Sequence, residues 1–146
     1  MKTLIARAAV LGIAALAASA QAQPTKYAVG QVWEYKTRPQ DKGSLLRIQR
    51  MTDLDKETVY HLSIIGVRFE RPDIAGVLPH IPVSKKTLDA SVSQLSFSSA
   101  AFPTTAVDEG IAEWQRAKGG VFIIPVSEIV GIADETLSQA KPAPEN

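Results

Sequence analysis

The chain has 146 residues, 45% hydrophobic and 21% charged, and contains no cysteine. That balance belongs to one ordinary globular domain and excludes collagen-like, coiled-coil, disordered and disulfide-stapled classes. The formal charge of +1 misleads, because the first 22 residues carry Lys2 and Arg7 with no acid, and the remainder holds 14 basic against 15 acidic side chains. A nucleic-acid-binding domain needs a strongly basic surface, so that function class is set aside.

Lys2 and Arg7 form a short positive start, and Ala8 to Ala18 is an apolar run of eleven residues. Ala18-Ser19-Ala20-Gln21-Ala22 then offers two overlapping small-x-small cleavage sites. This pattern predicts a signal peptide over residues 1–22, cut after Ala20 or Ala22. The apolar run falls short of the ~20 residues that a lasting membrane span requires, so no membrane association is expected after cleavage. With no Cys after the run, lipoprotein attachment is impossible. A soluble periplasmic or secreted protein is expected, with one domain over residues 23–140 and a flexible tail over 141–146. The domain has no disulfide available and must be held by its core alone.

Residues 31–38 alternate with period two, Trp33, Tyr35 and Thr37 on one side and Glu34, Lys36 and Arg38 on the other. A turn follows at Pro39–Gly43, then a second alternating run over 44–51 with Leu46 and Ile48 inward, then a turn at 52–56. Residues 57–69 predict a third strand with Tyr60, Leu62 and Ile64 inward and a bulge at Gly66. Residues 71–79 are taken as a loop. Ser84 predicts an N-cap for a helix over 85–96, with Leu88, Val92 and Leu95 on its stripe. A second helix is predicted over 106–118 with Val107, Ile111 and Trp114 inward and Gly119 at C′. Val121–Ile124 predicts a short, covered strand, and Ser127 caps a last helix over 128–138. The fold expected is α+β: an antiparallel meander of three or four strands, helices packed on one face, and a late apolar strand.

The absence of Cys removes thiol nucleophiles and thiolate metal sites. His61 and His80 are the only imidazoles, without H-E-x-x-H spacing, and neither G-x-S-x-G nor a phosphate-cradling glycine loop occurs. No cofactor is expected. The most informative pattern is charge: residues 23–86 carry 11 basic and 7 acidic side chains, residues 87–146 carry 3 and 8. Such a dipole suits docking to a charged partner. Pairing Tyr35 with Ile48 and Ile48 with Tyr60 would place Lys36, Arg47 and His61 in one cross-strand row, with Arg38 at its end. That row is the expected binding face, for an acidic or anionic protein partner. Ile74 and Leu78 are too apolar for a free loop, so they either pack on the sheet or join the binding surface. The leading function is therefore non-enzymatic binding of another macromolecule, inhibitor- or immunity-like. A small-ligand carrier using the aromatic sheet face stands second and a carboxylate-based hydrolase third. The oligomeric state stays open.

Gly30-Gln31-Val32-Trp33-Glu34-Tyr35-Lys36-Thr37-Arg38-Pro39, with Ser44–Ile48, His80–Ser84 and Gly120–Val126, resembles small uncharacterised exported proteins of Gram-negative bacteria. The resemblance spans most of the mature chain. It implies a periplasmic location and a single small domain, and transfers no functional residue. The Gly-x-x-Trp opening is also loosely similar to that of periplasmic lysozyme inhibitors, whose usual disulfides and serine-bearing loop motif are not identifiable here.

Overall fold

The structure is a computed structural model and describes residues 26–140. The expected signal peptide and the tail over 141–146 lie outside the described residues. Five strands form one sheet in the order β4-β3-β2-β1-β5, every neighbouring pair antiparallel. They are β1 (Val32–Tyr35), β2 (Leu45–Leu54), β3 (Glu57–Ile65), β4 (Val77–Val83) and β5 (Val92–Ser96). Three helices accompany them: α1 (Lys85–Ser91), α2 (Thr105–Arg116) and α3 (Val126–Gln139). The fold is thus α+β, with more strands than the expected three or four. Among the described residues no helix is long and apolar enough to cross a membrane.

Period-two alternation decides what each strand buries. Trp33, Tyr35, Leu46, Ile48, Tyr60, Leu62 and Ile64 all face one core, joined by Ile81 and Val83 from β4. Leu88 of α1 and Val126, Ile129 and Val130 of α3 close that core from above. The aromatic opening is core rather than cavity lining: Tyr27 stands edge-on to both Trp33 and Tyr60, at 5.7 and 5.6 Å between ring centroids. The helices do not share one face. Trp114 of α2 lies against His61, which alternates with Leu62 and so points to the opposite side of the sheet.

Several elements depart from the sequence expectation, each for an identifiable reason. The helix expected over 85–96 stops at Ser91, although Ser84 caps it as anticipated by accepting the Thr87 N–H. Ser91 turns its hydroxyl back to the Thr87 carbonyl at 2.6 Å and accepts the Val126 N–H at 2.9 Å. The Val-Ser-Gln-Leu-Ser that follows is poor in helix formers, and it satisfies the otherwise open rim of β1 as β5. Residues 77–79, taken as loop, begin β4. Pro79 and Pro82 are tolerated because β4 is an edge, where missing amide donors cost little. Val121–Ile124 makes only one parallel bridge, Val83 to Phe122, and leaves Ile123 62% exposed rather than forming a covered strand. Glycines on one side and Pro125 on the other shorten it. Ser127 sits inside the first turn of α3, whose N-cap position is Pro125. Gly66, at φ +74°, ends β3 instead of bulging it; the bulges lie beside Gln49 and Ser63.

Candidate functional site

The expected basic row does not form. Lys36 falls beyond the end of β1 and is exposed; Arg47 stands opposite Val32 and Ser63; His61 stands opposite Arg50 and Pro82. Two local features separate them: β1 pairs with β2 as Trp33↔Leu46, four residues from the anticipated partner, and the bulge at Gln49 shifts the upper half of β2. Arg38 is not an available cation either. Its guanidinium donates to both Asp41 oxygens, to Asp134 Oδ2 at 2.7 Å and to the Arg68 carbonyl. Asp134 also accepts the Glu70 N–H at 2.9 Å. Burial pushes the Asp134 carboxyl up, but the Arg38 and Glu70 donors outweigh it and hold it below the usual carboxylate range. Leu78 packs half-buried on the core opposite Ile64, and Ile74 is half-buried in the preceding loop.

His61 and His80 come together instead. The two rings lie edge to edge and nearly coplanar, 19° apart, with centroids separated by 5.1 Å, and His61 Nδ1 lies 2.8 Å from His80 Nε2. His61 Nε2 is 2.9 Å from Thr52 Oγ1, and the Trp114 ring meets His61 edge-on at 5.0 Å. One hydrogen bond between two imidazoles needs one N–H and one bare nitrogen, so the chain runs Thr52→His61→His80 or the reverse. Burial first, then His80 and Arg50, lower His61 to about 4; burial lowers His80 as well. A base that weak abstracts few protons near neutrality. The ring contacts Thr52 through Nε2 and Trp114 edge-on, and so ties the two to one another.

Thr52 and Trp114 in turn wall a cleft of about 470 Å³, completed by Asp53, Leu54, Asp55, Gln115, Lys118 and Gly119. A smaller cleft of about 160 Å³ adjoins it, sharing Leu54 and Asp55 and reaching Val121. The β2–β3 hairpin supplies one wall through a two-residue turn, Asp55-Lys56, with φ +49° and +71°. Such turns favour Asn-Gly or Asp-Gly because both central residues are left-handed. The end of α2 supplies the other wall, where Lys118 takes φ +48°. The three are the non-glycine residues of positive φ among those described, and they sit at one end of the molecule. Each costs about 1 kcal/mol or more, and strain of this kind collects at functional sites. Gly119 rather than Lys118 was expected beyond the helix; it is needed for close approach, since a Cβ there would lie 2.3 Å from Trp114 Cδ1. Trp114 Nε1 donates to the Gly120 carbonyl at 2.9 Å and fixes the ring. Leu54, Phe122 and Ile123 are exposed at this end.

Of the residues anticipated for binding, only His61 touches this site, from beneath. Thr52, Leu54, Trp114 and Lys118 were missed, and the signal available was Lys118-Gly119-Gly120 closing a helix five residues after a Trp. Among the described residues no three His, Asp or Glu stand together as metal ligands. Comparison with protein-family models, with curated proteins and with solved structures finds no match.

Proposed function

We propose that the protein is an exported, non-enzymatic binding protein that holds a protein partner at the cleft between the β2–β3 hairpin tip and the end of α2. The observation that carries this reading is the concentration of left-handed residues at that one place, beside Trp114 and an exposed apolar rim. Asn-Gly at the hairpin and Gly at position 118 would adopt these conformations at less cost, so Asp55, Lys56 and Lys118 hold them at some expense of stability. Trp is a residue type that anchors protein recognition, and the walls around Trp114 carry both signs of charge, Asp53 and Asp55 beside Lys118. An inhibitor- or immunity-like role fits such a surface. A second reading, a carrier of a small apolar molecule, rests on the apolar part of the lining, Leu54 and Trp114.

Two variants test the proposal. Leu54→Ser changes an exposed side chain, so melting should be unchanged while capture of a periplasmic partner falls at least tenfold. Lys36→Ser, at the abandoned basic row, should capture as the parent does. Equal capture by parent and Leu54→Ser would overturn the assignment. Native mass spectrometry of the chain from the same extract separates the readings: a bound small molecule, lost in Leu54→Ser, gives the cleft to the carrier.

A further inference from the structure

The two edges of the sheet are finished differently. On β4, Pro79 and Pro82 remove amide donors and Phe122 bridges to Val83. β5 has no such guard. Its strand partner is β1, and Ser93, Gln94 and Leu95 are exposed. The run from Ala90 to Val107 contains no charged residue over 18 positions, the longest such stretch among the described residues. Natural sheets usually protect an edge with Lys, Pro or a cover. At the end of β5, Phe97 is 94% exposed and Leu95 39%.

We propose that β5 pairs antiparallel with β5 of a second copy of this chain across a twofold axis, joining the two sheets into one. Charge identifies the occupant. In a twofold pairing each strand faces itself, so a charged residue near the axis meets its own like charge, and that is unfavourable. The Ala90–Val107 run avoids this entirely. A partner chosen by charge would find nothing here to hold. The bulge at Ser93, between the Glu34↔Gln94 and Tyr35↔Val92 pairs, leaves Gln94 to Ser96 regular and sets the axis near Gln94 or Leu95. Each Phe97 ring offers ~150–250 Å². The two rings therefore cover roughly a third to a half of the ~1,000 Å² that a specific interface needs, and Leu95 and the paired backbones add to it. The dimer expected is a reversible one, read by its dependence on concentration.

Sedimentation velocity over roughly 1 μM to 1 mM reads the association directly. The chain has no cysteine, so a single introduced thiol reports proximity without background. Gln94→Cys or Leu95→Cys should oxidise to a linked dimer, and Ile123→Cys, at the opposite edge, should not. Leu95→Lys and Phe97→Ser alter exposed positions; melting should hold while association weakens at least tenfold. A chain that stays monomeric throughout, or dimers that persist equally in both variants, would overturn the pairing. So would a dimer linked through Ile123→Cys alone. A monomer whose β5 amides respond in NMR spectra to an unrelated extended peptide would give the edge to another occupant and equally overturn it.

Discussion

Arg38 lies between two nearly buried carboxylates, Asp41 and Asp134, and holds Pro39–Asp41, α3 and the 68–70 segment together. A sequence reading could see a cation at the end of a strand but not the acid 96 positions away that claims it. Arg38→Met should cost about 3–5 kcal/mol, because removing one partner leaves uncompensated buried charge. Urea unfolding would show it as a lower midpoint with an unchanged slope. His61 makes a second prediction. Unfolded, it takes a proton near pH 6.5; folded, only near about 4. Between those values the unfolded chain binds more protons, so stability is complete above pH 6.5 and is lost as pH falls towards 4. Asp134, held low, adds its own loss only below the usual carboxylate range. The melting temperature should fall on the order of 5–10 °C between pH 7 and 4.5, matching about 2 kcal/mol; His80, also lowered by burial, adds a loss of the same sign, so His61→Gln should reduce that dependence without removing it.

At the scale of elements, legibility followed how local the determining contact is. The first three strands and their inward residues were readable, because alternation and hydrophobic burial act within a few positions. Register was not, since β1 is four residues long and Gln49 inserts a bulge that no pattern announces. Leu88, Val92 and Leu95 satisfy a helical stripe, yet the open rim of β1 draws Val92 and Leu95 into a strand; tertiary pairing decides there. The end of α2 was half legible. A helix stop was visible in Gly119, but the left-handed residue is Lys118, and Gly119 serves the Trp114 ring instead. Gly119→Ala should therefore push Trp114 off His61. We expect a loss of about 1–3 kcal/mol and a changed tryptophan emission, with the emission of buried Trp33 as the constant background. An unchanged spectrum and midpoint would mean that the helix end shifts freely.

Across the whole molecule, the sheet has one face under α1 and α3 and the other reached by α2. The helices that were expected to leave a basic face open cover part of it. The expected row is therefore not assembled: His61 is fully buried, Arg38 is paired with two acids, and Lys36 alone of the four is exposed. The end built from the hairpin tip, Trp114 and the 118–124 segment carries the proposed cleft instead. Site-specific photo-crosslinking in exporting cells compares the two surfaces in one experiment. A photoreactive residue is placed at Leu54 or Ile123 in one set of chains and at Lys36 in another. The cleft assignment predicts a discrete partner adduct from Leu54 and Ile123 and none from Lys36; an adduct from Lys36 alone would contradict it.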